Sequence, residues 1–185
     1  MLRLNSEITI GKYKFSYVNN VTIRKSFETY TQTATISIPN ILRENNKYII
    51  DEFSEGDAVE IKLGYYPNLE TRFLGYVTKK VSGNIAIFEC EDLSWLLKKQ
   101  GLSEYSKTNI TLETLIKDNN DGALECNEAN VGDRQIGEGS TLIQLFEQLR
   151  EFGFFAYFDE NEVLQVKSKS SIINETLHEF SFQRN

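Results

Sequence analysis

Two clusters of carboxylates are the residues with the clearest chemical potential. Each cluster follows an apolar segment that alternates like a β-strand, and the members are Glu89, Glu91 and Asp92 in the first and Asp159, Glu160 and Glu162 in the second. Two carboxylates that flank one bond are what glycoside hydrolysis requires. Turns and helix caps also favour acidic residues, because a short carboxylate accepts hydrogen bonds from nearby backbone N–H groups. We interpret both clusters as turn and cap residues, and a cell-wall hydrolase remains an alternative.

The other reactive residue types do not form a recognisable site. His178 is the only histidine, and the chain contains no G-x-S-x-G elbow, phosphate-binding loop or dinucleotide fingerprint. Cys90 and Cys126 lack CxxC spacing, so a zinc site is short of ligands, and we expect two reduced thiols rather than a disulfide. The glycine-bearing segment 132–139 is interpreted as a capping loop, because its acidic residues would repel a phosphate. We predict no catalytic, cofactor-binding or metal-binding residues, and no enzyme activity.

Aromatic and basic residues are the remaining candidates for binding. Tyr65 and Tyr66, which precede Pro67, have the side chains that stack on sugars, although tyrosines at strand ends also serve in packing. A carbohydrate-binding module is therefore a second alternative. The cations occur as pairs that do not extend into longer runs, and we interpret each pair as part of a solvated face. These pairs are Arg24-Lys25, Lys79-Lys80 and Lys98-Lys99.

Composition and charge exclude several classes of function. The chain has 185 residues, with 20 Lys and Arg against 27 Asp and Glu, and its net charge is −7. An acidic chain has no general attraction for phosphate backbones, so we expect no sequence-specific nucleic-acid partner. No apolar run approaches the roughly 20 residues that span a bilayer, so we expect no membrane insertion. Met1 leads into polar sequence without an apolar signal-peptide core, so we expect the protein to begin in the cytoplasm.

The first hundred residues predict a β-rich domain. Apolar and polar residues alternate with a period of two in seven segments, which are 8–10, 13–17, 21–23, 33–38, 59–63, 71–81 and 85–90. Short polar turns join these segments, and this pattern is typical of a small antiparallel barrel or sandwich. We predict an antiparallel β-barrel over residues 1–100. Asp92 is predicted to cap a short helix that holds Leu93, Trp95 and Leu97.

Particular residues of this domain are predicted to pack its interior. The core candidates are Phe27, Ile36, Val59, Ile61, Phe73 and Trp95. Three glycines are assigned to turns or to places where two backbones approach closely, and they are Gly56, Gly64 and Gly75.

The second half predicts a small α+β domain over residues 101–171. Thr111 is a suitable N-cap for a helix over 112–119, and Ser140 is predicted to cap a helix whose apolar residues recur from Leu142 to Phe152 at helical spacing. A hairpin follows over 154–167. The predicted fold class is therefore α+β, mainly β, with a barrel followed by two helices on a short sheet.

The end of the chain is a separate question. Residues 168–171 are polar and resemble a linker, and Phe180 and Phe182 alternate as if a strand were beginning. Either this strand pairs back onto the barrel or the natural protein continues, and we favour continuation. We assign residues 172–185 to a return segment toward a second barrel.

The order and spacing of these segments resemble one family. The segments that carry the resemblance are 26–39 (SFETYTQTATISIP), 53–65 (FSEGDAVEIKLGY), 73–77 (FLGYV), 87–92 (IFECED) and 139–153 (GSTLIQLFEQLREFG). Together they resemble the N-terminal part of phage tail hub proteins, the late control protein D family, and are similar to the base of type VI secretion spike proteins. The resemblance covers nearly the whole chain and depends on order rather than on one diagnostic motif.

The resemblance implies a structural role without chemistry. It implies a homotrimeric baseplate hub in a phage or phage-like contractile tail, in which two barrel-like domains per subunit match the hexameric tail tube on one side. The other side would hold a threefold spike. The implied partners are copies of the same chain, the tail tube and the spike or baseplate proteins, and the implied location is the virion tail, assembled in the bacterial cytoplasm. No cofactor is implied.

Overall fold

The fold comes from a computed structural model. It describes residues 4–15, 17–26, 29–41, 47–65, 67–99, 105–119, 126–137, 139–159 and 162–168. His178, Phe180 and Phe182 lie outside these residues, as do the predicted domain boundary at 100–101 and the predicted return segment 172–185.

Seven strands form one antiparallel sheet in the order β2-β1-β5-β6-β7-β4-β3. Their bounds are β1 Leu4–Ile10, β2 Tyr13–Phe15, β3 Asn20–Arg24, β4 Thr33–Pro39, β5 Ala58–Tyr65, β6 Asn68–Val81 and β7 Ile85–Glu91. The alternation that predicted these strands has a structural basis, since successive side chains on a strand point to opposite faces. In β4, for example, Ala34, Ile36 and Ile38 are buried while Thr33 and Pro39 are exposed.

The sheet is strongly curled but not closed. β2 and β3 follow one another in the sequence and yet form the two opposite edges of the sheet. Five residue steps separate Phe15 from Asn20, so the two edges lie within about 18 Å of each other. The predicted closure of the barrel is therefore incorrect for the described residues, because β2 and β3 form no ladder with each other and β2 offers only 3 residues for one. The broader prediction of an α+β fold that is mainly β is confirmed.

Apolar side chains fill the inside of the curled sheet. Ile36, Val59, Ile61 and Phe73 are all buried there, as predicted. A 3-10 helical turn over Ile49–Glu52 leads into Phe53, whose ring centroid lies 5.2 Å from that of Tyr13 and 5.0 Å from that of Phe88. Phe53 thus links an edge strand to a central strand across the core.

Two of the predicted core residues, Phe27 and Trp95, are not confirmed as core residues. Phe27 lies outside the described residues, and Trp95 is only partly buried. Trp95 belongs to helix α1, Ser94–Lys99, where its ring lies against the outer face of the sheet rather than inside it. The prediction that Trp95 is a core residue is therefore wrong.

The second half contains helices and short strands around a second core. Helix α2 is Leu112–Asn119, α3 is Leu142–Glu151, β8 is Tyr105–Thr111, β9 is Asn130–Ile136, β10 is Phe154–Phe158 and β11 is Leu164–Ser168. β8 pairs with β9 and β10 pairs with β11, both antiparallel. Leu112, Leu115, Leu145 and Phe146 are among the side chains buried between them. We call β1–β7 the sheet unit and α2, α3 and β8–β11 the α+β unit.

Two details of the α+β unit differ from the sequence prediction. Residues 132–136, which were predicted to be part of a loop, belong to β9. The N-cap of α3 is Thr141 rather than Ser140, because the Thr141 hydroxyl accepts from Gln144 N while the Gln144 side chain accepts from Thr141 N. This reciprocal pair is a capping box. Thr111 caps α2 as predicted, since its hydroxyl accepts from Thr114 N.

Candidate functional site

The sheet unit and the α+β unit meet at a buried polar contact. Gln32 precedes β4, and its side-chain amide Nε2 donates to the carbonyl of Phe158 on β10 over 2.6 Å. Gln32 is only 8% exposed. The backbone of Gln32 exchanges hydrogen bonds with Asp92, because Asp92 N donates to Gln32 O and Gln32 N donates to Asp92 Oδ2. Residues that are far apart in the sequence are thereby held together at one point, which we call the junction.

Asp92 organises the junction through both of its carboxylate oxygens. Oδ2 accepts from Gln32 N over 3.0 Å and Oδ1 accepts from Ser94 N over 3.1 Å at the start of α1. The predicted capping role is therefore confirmed. The side chain is 3% exposed, and burial raises the pKa of this carboxyl although its hydrogen bonds and Lys98 act in the opposite direction. Both oxygens thus make structural hydrogen bonds, which favours the interpretation of Asp92 as a cap residue.

A small cavity lies at the junction. Its volume is about 20 Å³, and its lining includes Gln32, Arg72, Asp92, Asp159 and Glu162. The structure therefore brings members of the two acidic clusters to one place, which the sequence did not indicate. A water molecule needs roughly 10–15 Å³ of such space, so the cavity has room for a water and none for a sugar ring.

A more open groove lies beside this cavity, over the outer face of the sheet. Its volume is about 330 Å³, and Thr9, Glu60, Leu74, Tyr76 and Glu162 are among its lining residues. The Glu60 carboxylate accepts from the Thr71 hydroxyl and pairs with Lys62, each over 3.1 Å. Glu60, an acidic residue of this lining, is therefore already engaged in structural contacts.

Three other members of the acidic clusters make structural contacts. Glu89 pairs with Lys79 over 3.4 Å and Glu91 pairs with Lys98 over 2.7 Å. Asp159 accepts from Val163 N over 3.0 Å and from Gln165 Nε2 over 2.9 Å, which fixes the turn between β10 and β11. These contacts favour the interpretation of both clusters as turn, cap and surface residues. Glu160 lies outside the described residues.

Two of the three selected glycines allow close contact between backbones. A Cβ atom on Gly75 would lie 2.1 Å from Glu91 O, and one on Gly64 would lie 2.3 Å from Asn68 O. Gly56 has φ +91°, a value that side chains rarely allow, and a Cβ there would lie 3.1 Å from the Trp95 ring. The prediction of turn or close-approach roles is confirmed at all three positions.

The aromatic residues near the junction are engaged with protein groups. The rings of Trp95 and Tyr76 are stacked with their centroids 5.0 Å apart, and Lys99 Nζ lies 3.6 Å from the Trp95 ring centroid. The indole therefore contacts both a ring and a cation of the protein. Tyr65 is 45% exposed at the end of β5, while Tyr66 lies outside the described residues. A single exposed tyrosine does not by itself favour sugar binding over packing.

The cysteines are unpaired thiols, as predicted. Burial and the nearby carboxylate of Glu89 raise the pKa of Cys90 to about 12. Burial also raises the pKa of Cys126, which is only partly buried. A thiol needs a lowered pKa to act as a nucleophile, so neither environment is that of a reactive cysteine.

The described ranges show neither a metal-binding cluster nor a membrane-spanning helix. Within the described ranges, acidic, cysteine and histidine side chains do not converge in a group of three that could hold a metal ion. None of the helices found in these ranges is both long and apolar enough to cross a membrane.

Within the described ranges, the sheet has two edges without a neighbouring strand. β3 forms one edge and β2 the other, and in the described part of the chain neither has a partner on its outer side. β3 exposes Asn20, Thr22 and Arg24 and contains no proline or bulge that would discourage pairing. These edges, rather than a cavity, are the surface on which the sheet can be extended.

The fold is similar to that of phage tail proteins. A tail protein from Neisseria meningitidis MC58 matches with a TM-score of 0.63 and 13% identity over 88% of this chain and 50% of its own. The 43 kDa tail protein of prophage MuSo2 from Shewanella oneidensis matches with a TM-score of 0.65 and 16% identity over 88% of this chain and 54% of its own. The Francisella PdpA-VgrG complex, half-lidded, matches with a TM-score of 0.56 and 12% identity over 93% of this chain and 33% of its own.

These comparisons confirm the predicted likeness at the level of the fold. The chain spans about half the length of each of the two tail proteins and 33% of the matched chain of the complex. No protein-family model matches the chain, and no curated protein is significantly similar to it in sequence.

Proposed function

We propose that this chain is a structural module of a phage tail or a related contractile injection apparatus. In this role it contributes to a baseplate hub that joins the tail tube to the spike. The fold that it shares with solved tail proteins is the observation that carries the proposal. The protein acts by presenting surfaces to its neighbours and not by catalysis.

The contacts made by its polar residues support this role. The acidic residues Asp92, Glu91 and Asp159 hold the junction, an ion pair and a turn, respectively. The unpaired edges β2 and β3 are suited to assembly, because an exposed edge presents N–H and C=O groups that another strand can pair with. An acidic chain also suits a passage through which DNA must move without sticking.

We further propose that the full-length protein forms a homotrimer, as the resemblance implies. Identical subunits joined head to tail close into a ring when the rotation between neighbours is a simple fraction of a turn. Light scattering of the full-length protein tests this point. We expect the mass of three chains at all concentrations above the dissociation constant, and a monomer at every concentration would refute the trimer.

The location in the particle needs a separate experiment. An epitope tag on the chain, followed by purification of induced particles on a density gradient and immunogold electron microscopy, would locate it. We expect the label to lie where the tail tube meets the spike. Deletion of the gene should abolish intact tails. Intact tails without the chain would refute the structural role even if the protein were trimeric.

The two alternatives make different predictions. A carbohydrate-binding module would bind glycans in isothermal titration, with loss of binding on Tyr65→Ala. A cell-wall hydrolase would degrade peptidoglycan, with loss of turnover on Glu89→Gln or Asp159→Asn. We expect neither glycan binding nor turnover, and either result would contradict the proposed function.

A further inference from the structure

A cation and an exposed aromatic ring lie side by side on the α+β unit. Arg134 is on β9, and Phe152 is the C-cap residue of α3. The guanidinium carbon of Arg134 lies 5.7 Å from the centroid of the Phe152 ring. Phe152 is 69% exposed, which makes it the second most exposed large hydrophobic residue of the described chain. We call these two side chains the Arg134–Phe152 patch.

The charge of Arg134 is not balanced by an ion pair in the described part of the chain. Asp133 precedes it, but successive residues of a strand point to opposite faces. Asp133 Oδ1 accepts from Asn109 N over 2.8 Å instead. The residue directly opposite Arg134 on β8 is Lys107, which is also a cation and which pairs with Asp118 over 2.6 Å. Like charges at directly opposed positions are unfavourable, so Arg134 is left as the unneutralised member of this pair.

Partial burial of the Arg134 guanidinium adds to the unfavourable energy of the like-charge pair with Lys107. The Nε atom of Arg134 is shielded from solvent and has no hydrogen-bond partner, while Nη1 donates only to the neighbouring backbone carbonyl of Asp133 over 2.8 Å. Desolvation lowers the pKa of the guanidinium, and Asp133 opposes that effect without reversing it. A donor that is removed from water and left unpaired is destabilising. Nη2, unlike Nε, is not shielded from solvent and makes no hydrogen bond within the described chain, so it is the donor that a group on another molecule can reach.

We propose that the Arg134–Phe152 patch is a docking site for a carboxylate on another protein, carried next to an apolar side chain. A guanidinium offers its donors in a fork that matches a carboxylate. The exposed ring of Phe152 supplies apolar area beside that fork, and arginine and aromatic residues are enriched at the centres of protein interfaces. The occupant therefore combines one negative charge with one apolar group.

A protein partner fits this patch better than a nucleic acid does. Binding to a phosphate backbone uses several cations along a surface. Here the neighbouring Lys107 is already paired with Asp118, and the whole chain is acidic. This inference does not depend on the trimer or on the location at the baseplate. A binding experiment therefore tests it separately.

The experiment uses N-acetyl-leucine as the probe, since it carries one carboxylate next to one apolar side chain. The readout is the side-chain Nε–Hε signal of Arg134 in a ¹H–¹⁵N spectrum, assigned by its loss in Arg134→Lys. We expect a saturable shift of this signal with a dissociation constant on the order of millimolar, as suits a ligand of this size. N-acetyl-leucinamide, which lacks the carboxylate, should cause no saturable shift.

The variants separate the patch from a general effect of charge. Phe152→Ala removes an exposed ring and should weaken binding by roughly two- to fivefold. The matched control is Arg72→Gln, since Arg72 is an exposed arginine that is already paired with Glu70, and it should leave the affinity unchanged. Equal responses to the acid and the amide, an unchanged affinity in Phe152→Ala, or tighter binding of inorganic phosphate than of N-acetyl-leucine would each overturn the proposal.

Discussion

Substitution of Gly75 by alanine gives a direct test of how the sheet unit is held at the junction. Gly75 is opposite Val59 on β5, and it lies against the point where β7 ends and Asp92 begins. A Cβ atom there would be 2.1 Å from Glu91 O, 2.8 Å from Glu91 C and 2.9 Å from Asp92 Cα. All three atoms belong to the backbone, so no side-chain rotation can relieve the contact.

The size of the effect follows from these distances. Contacts shorter than 3.0 Å are essentially never made by real Cβ atoms, so β6 and β7 must separate locally by about 0.9 Å. Overpacking of this kind costs about 1–3 kcal/mol, and each weakened backbone hydrogen bond adds roughly 1 kcal/mol. We therefore expect Gly75→Ala to lower the free energy of unfolding by about 2–5 kcal/mol, a large part of the stability of a typical domain.

Urea denaturation followed by tryptophan fluorescence measures this loss. Trp95 is the only tryptophan, and it stacks on Tyr76, the residue next to Gly75, so its emission reports on the same region. The control is Gly83→Ala, because Gly83 is near β7 but a Cβ there would meet only Ile85 O at 3.5 Å, an ordinary contact. We expect Gly83→Ala to change the free energy of unfolding by less than about 0.5 kcal/mol. Equal midpoints for the two variants would refute the close-approach explanation.

Three further predictions concern the junction and the thiols. Gln32→Met should lower the free energy of unfolding by about 1–3 kcal/mol in urea denaturation, because it leaves the buried Phe158 carbonyl without its donor. The control is Gln148→Met on the exposed face of α3, which should be nearly neutral. Burial raises the pKa of Asp92, so its contribution to the free energy of unfolding is fully present below the ordinary carboxyl pKa and is lost as pH rises through the raised value. The stability of the wild type relative to Asp92→Asn should therefore fall over that pH range in urea denaturation. A difference that stays constant with pH would contradict this. Iodoacetamide should modify Cys126 before Cys90, whose pKa is about 12, and mass spectrometry giving the reverse order would be inconsistent with the burial of Cys90.

The sequence predicted the sheet unit well because its strands are governed by one simple rule. Residues that alternate with a period of two, as in β4 and β7, must place one set of side chains in the core. The caps were equally local, so Thr111 and Asp92 could be assigned from the residue types alone. The resemblance to tail proteins rested on the order of these same segments, which is why it succeeded at the level of the fold.

The failures involve contacts that no local pattern encodes. β8 and β9 were missed because their ladder is interrupted by two register shifts and contains Asn109 at a positive φ of 51°. Trp95 was assigned to the core on its apolar character, but its ring stacks on Tyr76 and lies next to Lys99 on the outside of the sheet. Gln32 gave no signal at all, since its role depends on Phe158, which is 126 positions away in the chain.

A fold of this kind can accept very different sequences because few of its positions have fixed chemistry. The inner face of the sheet requires only apolar side chains of suitable size, and cores tolerate many such exchanges if volume and pattern are kept. The strict requirements are confined to places where backbones meet or polar groups are buried, such as Gly64, Gly75 and the Gln32–Asp92 pair. An enzyme of similar size would add a reactive group that could not change. The proposed structural role requires no such reactive group. The fold is therefore recognised by the order of its strands and not by a motif.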